Sequence, residues 1–360
     1  MSLEIGIIGL PNVGKSTLFN ALTGAGALAA NYPFATIEPN TGIVPIPDPR
    51  VEALGRLFRS KRIVPATVTF VDIAGLVKGA SEGEGLGNRF LAHIREVSAI
   101  CHVVRVFESP SVVHVDDVMD PSGDISTIET ELALADLQTI DRSLPRLERE
   151  MTVDKSLSRR VEIIRALRQV VAGGDLISRS PELMGQALEF ADLHLLTAKP
   201  VIYLFNCGEA VLRDPGRMEA LSNLVSPAEA VFVDAQIESE LVALDYQARL
   251  ELLHSVGQEE PGLHTVARAA YRALGLQSFL TVGEKESRAW TIRTGTTASK
   301  AAGVIHTDFE KGFIAAEVID FADMIEVGSW VAARAKGLVR TEGKSYVMRP
   351  DDVVEFRFNV

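Results

Sequence analysis

Short apolar runs separated by helical patterns characterise the first three quarters of the chain. Runs typical of buried strands occupy residues 4–8, 41–46, 66–71, 99–107, 200–205 and 230–234. Helical sequence follows several of these runs, notably at residues 15–23 and 238–274. Strands that alternate with helices in this way predict an α/β domain.

The segment from about residue 125 to residue 200 is predicted to be a helical insertion in that domain. Apolar side chains recur there at helical spacing, at Ile128, Leu132, Ala135, Leu144, Leu147, Met151, Val161, Ile164, Leu167 and Val171. We expect residues 152–154 to turn the chain, which would make the insertion a helical hairpin. Pro145 costs about 3 kcal/mol inside a helix, so the first arm is expected to be kinked or restarted there.

The pattern changes again at Gln277. Short runs predict strands at residues 279–282, 289–293, 315–319 and 353–360, with one helix at residues 298–305. These elements predict a compact α+β domain without a visible catalytic constellation, in which His306 and Asp308 are structural. The predicted organisation is therefore an α/β domain over residues 1–276, which contains the hairpin, and an α+β domain over residues 277–360.

Composition limits the cellular environment and the kinds of partner that we expect for the protein. Of the 360 residues 47% are hydrophobic, and the net charge of −12 argues against a generally basic surface for nucleic acid. Cys101 and Cys207 have neither zinc-site nor disulfide spacing, which fits a reducing compartment. Glu4 interrupts the N-terminal apolar run, so we expect no signal peptide, and no apolar run of about 18 residues predicts a membrane span. A soluble, cytoplasmic protein that binds neither DNA nor membranes is expected.

The clearest chemical signal is the sequence G-x-x-x-x-G-K-S at residues 9–16, between a predicted strand and a predicted helix. In that context the motif predicts a phosphate-binding P-loop, because its amides and the helix N-terminus point at anions. Lys15 would supply a catalytic point charge to the outer phosphates. The predicted nucleotide contacts in this loop are Asn12, Val13, Gly14, Lys15, Ser16 and Thr17.

Two later positions complete a predicted magnesium site. Thr36 lies in the loop after the first helix, where P-loop switch proteins present a second Mg²⁺ ligand beside the P-loop hydroxyl of Ser16. Asp72 begins a D-x-x-G sequence at the end of an apolar strand, so its carboxylate is expected to reach Mg²⁺ through water. The Gly75 N–H is expected to face the γ-phosphate.

The sequence leaves two interpretations for the group that orients the attacking water. Leu76 stands where Ras-like GTPases have a glutamine, and leucine cannot hydrogen-bond a water. His114, in the polar loop after the strand at residues 99–107, is the candidate substitute, because a neutral imidazole can accept a proton or orient water. A structural or solvated role for His114 stays the alternative.

The base-binding sequence departs from that of GTPases. The strand at residues 200–205 leads into Asn206-Cys207-Gly208-Glu209, where GTPases have N-K-x-D. Loss of the lysine and the longer Glu209 remove the fixed guanine contact, an effect worth about 1–3 kcal/mol. Asn206 can still bond the adenine edge, and Cys207 can contribute backbone and packing. We therefore predict that ATP is preferred over GTP.

Two features allow two interpretations each. Residues 142–168 contain eight Arg or Lys and four Asp or Glu, which suits either a solvated helical surface or a basic finger for RNA phosphates. Asn12 is of a residue type that coordinates K⁺ beside the phosphates in some NTPases, but it can equally well only shape the loop.

Together these motifs resemble the Obg-like ATPases of the YchF type. Matching stretches lie at residues 9–17, 31–34, 36–40, 72–80, 83–87, 206–209, 283–286, 289–292 and 303–312. The resemblance implies a P-loop domain with an inserted antiparallel hairpin and a C-terminal TGS domain of β-grasp type. It also implies a preference for ATP, a requirement for Mg²⁺ and association with ribosomes or RNA, with His114 replacing the missing glutamine.

The leading hypothesis is a slow, Mg²⁺-dependent ATPase that acts as a switch on the translation machinery. One alternative is the same enzyme acting on GTP. The other is a ribosome- or RNA-binding module in which hydrolysis is incidental.

Overall fold

The computed structural model describes residues 3–29, 40–73, 86–107 and 119–359. Its strands are β1 (Glu4–Ile8), β2 (Thr41–Pro45), β3 (Ile63–Val64), β4 (Thr67–Asp72), β5 (Ala99–Val106), β6 (Val201–Cys207), β7 (Glu229–Val233), β8 (Leu276–Thr281), β9 (Ser287–Arg293), β10 (Phe313–Asp320), β11 (Arg340–Glu342) and β12 (Asp352–Phe358). Its helices are α1 (Lys15–Ala29), α2 (Pro49–Leu57), α3 (Leu86–Glu96), α4 (Pro121–Val153), α5 (Ser158–Ala172), α6 (Pro181–Ala187), α7 (Glu209–Leu212), α8 (Pro215–Val225), α9 (Ala235–Ala243), α10 (Tyr246–Ser255), α11 (Gly262–Ala273), α12 (Ala298–Ile305), α13 (Thr307–Lys311), α14 (Phe321–Val327) and α15 (Trp330–Ala335). The chain divides into two compact units.

The first unit, Met1–Val44 with Thr69–Leu274, contains a six-stranded sheet in the order β2-β4-β1-β5-β6-β7. The neighbours from β4 to β7 pair in parallel. All eight residues of β5 are buried, as expected for a central strand covered on both faces. Parallel strands end at one edge of the sheet, where open α/β folds bind their ligands. The predicted α/β fold is confirmed, with strand ends shifted by a few residues.

The helical insertion forms a hairpin in which α4 packs on α5. Helix α4 continues through Pro145, so of the two expected outcomes, a kink or a restart, the restart is wrong. The helix tolerates one missing N–H when its apolar side is packed. That packing comes from buried residues such as Ile140, Ile164 and Leu167. No helix in the described ranges is both long enough and apolar enough to cross a membrane.

A buried carboxylate fixes the base of the hairpin. Asp136 is fully buried and accepts hydrogen bonds from the Leu196 N–H (2.8 Å), the Thr197 N–H (2.7 Å) and the Thr197 hydroxyl (2.7 Å). Burial raises its pKa, while these hydrogen bonds act in the opposite direction. The contacts tie α4 to the segment that leads into β6, so the insertion is anchored at its base.

The second unit contains Gly275–Val360 and also Pro45–Val68, which linear reasoning had assigned to the first domain. Its sheet has the order β11-β10-β12-β8-β9-β3, in which β3 pairs with β9 in parallel. The Ser60 hydroxyl donates to the Gly283 carbonyl (2.7 Å), which further attaches this early segment. A strand as short as β3 gives no periodic signal, and only its pairing partner determines the unit to which it belongs.

The predicted α+β character of the C-terminal region is confirmed. The expected helix at residues 298–305 is α12, and the next helix, α13, begins where His306 Nδ1 accepts from the Asp308 N–H at 3.2 Å. This capping contact gives His306 and Asp308 the structural role that was expected of them.

Candidate nucleotide site

The loop between β1 and α1 has the backbone geometry that its glycines predict. Gly14 has φ +95°, and a Cβ added to it would collide with the side-chain amide nitrogen of Asn206. Asn12 also lies in the left-handed region, with φ +64°, which asparagine tolerates better than most residues. The Leu18 N–H donates to the Gly14 carbonyl (3.0 Å), so the helical ladder starts at the loop itself.

Lys15 lies across this loop. Its Nζ donates to the carbonyl oxygens of Gly9 (2.9 Å) and Leu10 (2.7 Å). Burial lowers the Lys15 pKa to about 8, and the carboxylate of Asp72 only partly offsets that effect. An ammonium group that is held by neutral carbonyls and has a lowered pKa is short of negative charge, and an arriving phosphate would supply it.

The two described residues of the predicted magnesium set lie on adjoining elements. Ser16 is exposed in the first turn of α1, together with Thr17. Asp72 ends β4 opposite Ile7 of β1, and its main-chain N–H donates to the Asn40 carbonyl (2.8 Å). Burial raises the Asp72 pKa, with the charge of Lys15 acting against it. The charge of each of these two groups opposes the effect of burial on the pKa of the other, so Lys15 and Asp72 lie within electrostatic reach of each other.

Asn206, a predicted base contact, is hydrogen-bonded to the phosphate loop. Its side chain is 5% exposed; Nδ2 donates to the Val13 carbonyl (2.9 Å), and Oδ1 accepts from the Ala235 N–H (3.0 Å). The asparagine therefore joins the P-loop to the start of α9. The amide has two N–H donors, and the Val13 carbonyl uses one of them.

The other two predicted base contacts differ from each other. Cys207 is 1% exposed, its thiol approaches the Val233 carbonyl at 3.5 Å, and burial raises its pKa to about 12. Its side chain packs into the domain core, so what it can offer a nucleotide is its main chain. Glu209 begins α7 and forms a 2.6 Å ion pair with Arg213, with about half of its side chain exposed.

Four residues of the prediction lie outside the described ranges. They are Thr36, Gly75, Leu76 and His114. Within those ranges no group of three or more His, Cys, Asp or Glu side chains could hold a metal ion by itself. P-loop proteins bind Mg²⁺ through few protein oxygens together with phosphate oxygens of the nucleotide, and Ser16 and Asp72 are donors of that kind.

Sequence reasoning missed His102 on β5, which is 2% exposed. Its partner in the strand register is Ile8, directly before the loop. Burial and, to a smaller extent, the charge of Lys15 together lower the His102 pKa to about 3, so the imidazole stays neutral. The sequence did contain a signal for a buried histidine, because His102 lies inside the apolar run at residues 99–107.

Glu238 on α9 was also missed, and the helical pattern there gave no signal for it. Its side chain is 5% exposed, and Oε1 accepts from the Gly262 N–H (2.6 Å) at the start of α11. Burial raises its pKa to about 7. This carboxyl group therefore titrates close to neutral pH.

Ion pairs neutralise part of the positive charge of the hairpin. Of the eight basic residues at positions 142–168, four form ion pairs of 2.5 to 3.5 Å: Arg146 with Glu150, Arg159 with Glu189, Arg165 with Glu148 and Arg168 with Asp141. Much of this surface is thus a solvated, ion-paired helical face. The charge that can act on a partner is concentrated in the remaining basic residues.

The structure combines a strand, a phosphate loop and a helix with Asp72 and Asn206 at the ends of two other strands of the same sheet. This arrangement defines a P-loop nucleotide-binding domain of the GTPase class. The family model described as "50S ribosome-binding GTPase" matches residues 4–144. A second model, YchF-GTPase C-terminal, described as "Protein of unknown function", matches residues 276–359.

Full-length relatives define the family more closely. The chain is 50% identical to "Ribosome-binding ATPase YchF" of Haemophilus influenzae and 45% identical to the protein of that name from Bacillus subtilis, in each case over 100% of both chains. Among solved structures it is similar to the Schizosaccharomyces pombe YchF GTPase, with a TM-score of 0.87, 37% identity and coverage of 98% and 97%. The chain belongs to the YchF family.

Proposed function

We propose that the protein is a Mg²⁺-dependent ATPase with slow intrinsic turnover that works as a nucleotide switch on the ribosome. The observation that carries the proposal is the P-loop, in which the part-buried ammonium of Lys15 donates to the Gly9 and Leu10 carbonyls. A triphosphate would replace these neutral partners with charged ones, beside the amides at the N-terminus of α1. The names of the bacterial relatives, which describe ribosome-binding ATPases, support the same function.

Magnesium fits the donors at the site. The exposed Ser16 hydroxyl would bind the ion directly and Asp72 would hold it through water, with Thr36 as the further proposed ligand. When bound, Mg²⁺ neutralises charge that develops on the β- and γ-phosphate oxygens. Lys15 adds to that effect, and the Gly75 N–H is proposed to contact the γ-phosphate.

Slow turnover follows from the apolar residue at the position of the catalytic glutamine. Leu76 cannot orient water, and His114 is the proposed replacement as the group that positions it. Catalytic groups supplied by a partner in this class are worth about 10³–10⁵ in rate. We therefore expect weak hydrolysis by the isolated protein and stimulation by a partner.

ATP is proposed as the preferred nucleotide because the guanine-specific contacts are altered. Asn206 retains a second amide N–H for the purine, Cys207 offers only main chain, and Glu209 is engaged by Arg213. The S. pombe relative is titled a GTPase, which keeps GTP as the competing substrate.

Ribosomal RNA or protein is the proposed macromolecular partner, in the cytoplasm, with no role for DNA or membranes. The match to the model for ribosome-binding GTPases and the basic residues of the hairpin support this part. If a Lys15→Ala protein still bound ribosomes and performed its role, the module with incidental hydrolysis would be the better description.

Calorimetric titration with ATP and GTP, each with and without Mg²⁺, tests the proposal. We expect tighter binding of ATP that needs Mg²⁺ for full affinity. Because phosphate should raise the Lys15 pKa from about 8, ATP binding near pH 8 should take up protons, whereas binding at pH 6 should not. Equal affinity for both nucleotides, or no proton uptake at pH 8, would count against this account of the site.

A monovalent cation is a further proposal for the same loop. Potassium at Asn12 would add the positive charge that Leu76 and the absent arginine finger do not supply. The left-handed backbone of Asn12 fits a loop-shaping role equally well. Equal hydrolysis rates in K⁺ and Na⁺ buffers would exclude the cation.

A further inference from the structure

A cavity of about 480 Å³ opens in the inserted hairpin, far along the chain from the P-loop motif. It lies between α4, α5 and the 3-10 helix Leu188–Leu193, and its volume is in the range of small-ligand sites. Apolar side chains, including Leu147, Ile164 and Phe190, form part of its lining. Arginines 142, 146 and 160 contribute the basic part of the lining.

Arg160 has an arrangement suited to a planar ligand. Its guanidinium carbon lies 4.9 Å from the centre of the Phe190 ring, and Nη2 donates to the Glu189 carbonyl (3.1 Å). Its Nε–H is buried and finds no acceptor among the residues that the structure describes. One face of the guanidinium is thus supported by an aromatic ring, and its hydrogen-bonding capacity is incompletely used.

The charge at this cavity favours an anion. Arg146 is neutralised by Glu150 at 2.8 Å, whereas neither Arg142 nor Arg160 forms an ion pair within the described part of the chain. Arg165 and Arg168, elsewhere on the hairpin, are both paired with carboxylates. The unpaired charge therefore lies beside an apolar recess, with the exposed Asp192 as the opposing acid.

We propose that this cavity binds one unstacked nucleotide of single-stranded RNA, with its base on the guanidinium of Arg160 and its phosphate at Arg142. This inference rests on the proposed association with the ribosome and names the chemistry of that contact. Single-stranded RNA is recognised by bases that stack on aromatic or arginine planes while basic groups hold the backbone. The stack of Arg160 on Phe190, with a second guanidinium at Arg142 beside apolar side chains, suits a base and its phosphate better than the main chain of a peptide.

The test is a fluorescence titration of the full-length protein, saturated with ATP and Mg²⁺ so that the P-loop site is occupied. The probe is a pentaribonucleotide that carries 2-aminopurine, whose emission falls when the base stacks. Arg160→Gln removes the stacking plane, and Ser143→Trp fills the cavity while keeping every arginine. Arg168→Gln, which breaks only the pair with Asp141, is the matched control.

We expect quenching in the unaltered protein, at least about tenfold weaker binding by the Arg160 and Ser143 variants, and less than twofold change in the control. Equal weakening by Arg160→Gln and Arg168→Gln, together with unchanged binding by Ser143→Trp, would overturn the pocket in favour of general charge attraction. If ribosomes co-sediment with the protein but the oligonucleotide does not bind, the inference fails and the proposed function stands. If neither binds, both fail. Thermal melting of each variant identifies any that are unfolded.

Discussion

The phosphate side and the base side of the candidate nucleotide site are built in different ways. The phosphate side depends on local backbone geometry, namely the left-handed Gly14 and the helix that starts immediately after it, and on the charge of Lys15. The base side depends on side chains at the end of β6 and the start of α7, above all Asn206 and Glu209, and on the contact of Asn206 with the start of α9. Backbone geometry of this kind is specified by a short motif. Side chains that contact the base can instead be replaced one at a time, and each replacement can change which base is preferred.

The two sides are also joined physically. Asn206 contacts Val13 in the phosphate loop and Ala235 at the start of α9, so one buried amide spans both. Cys207, its neighbour, turns its thiol into the core instead. Changes at the base side should therefore range from severe to nearly silent. Three variants there, compared with Lys15→Ala on the phosphate side, measure that range.

Lys15→Ala should have the largest effect. It removes the ammonium that faces the phosphates, and we expect kcat for ATP hydrolysis to fall by about 10²–10³-fold, because a preorganised charge is lost from the site. Steady-state phosphate release measures this. Lys155→Ala, at an exposed position of the hairpin, is the control and should leave the rate unchanged. Equal rates in both variants would show that the loop does not hold the phosphates.

Asn206→Ala should come next, because it affects both sides at once. It leaves the Val13 carbonyl and the Ala235 N–H without their partner, and we expect a loss of about 2–3 kcal/mol in the free energy of unfolding. Urea denaturation of this variant and of Asn223→Ala, an exposed asparagine on α8, provides the comparison. A loss below about 0.5 kcal/mol would mean that the amide does not join the two sides.

Glu238→Gln should reveal a pH dependence on the base side. The folded-state pKa of Glu238, about 7, lies above its ordinary value of 4.5. The protonated carboxyl therefore contributes stability to the fold that is fully present below pH 4.5 and is lost as the pH rises through 7. The variant should therefore gain stability over the parent across that interval, on the order of 2 kcal/mol at pH 8.

Chemical denaturation at pH 5, 6, 7 and 8 measures that difference. Glu240→Gln, exposed on the same helix, should show no such trend. A Glu238→Gln difference that stays constant with pH would contradict a buried carboxyl that titrates near neutrality.

Glu209→Asp should have the smallest effect. The shorter carboxylate restores one GTPase feature without burying a charge, and we expect the ratio of GTP to ATP affinity to rise by less than about fivefold, below 1 kcal/mol. Competition against a fluorescent nucleotide measures the ratio, with Glu219→Asp as the control. Cys207→Lys is a poorer test than sequence reasoning suggests, because it would place an ammonium in the core where the thiol packs.

Features that depend on neighbouring residues were predicted better from the sequence than features that depend on distant contacts. The strand Glu4–Ile8 and the helix Ala298–Ile305 have the predicted boundaries, because short-range periodicity and flanking turns determine them. The helical run at residues 238–274 is divided into α9, α10 and α11, since periodicity does not show where a helix ends within a continuous apolar pattern. The continuous α4 similarly reflects packing that outweighs the local cost of Pro145.

By itself the sequence determined the α/β and α+β regions, the helical insertion and the phosphate loop, because each is encoded by neighbouring residues whose backbone preferences agree. Only the tertiary structure decided that residues 45–68 belong with the C-terminal unit, that Asn206 connects Val13 to Ala235, and that His102 and Glu238 are buried. Those properties depend on which distant segments share an interior. Burial sets the protonation of a side chain and the partners it can reach, and no local pattern records it.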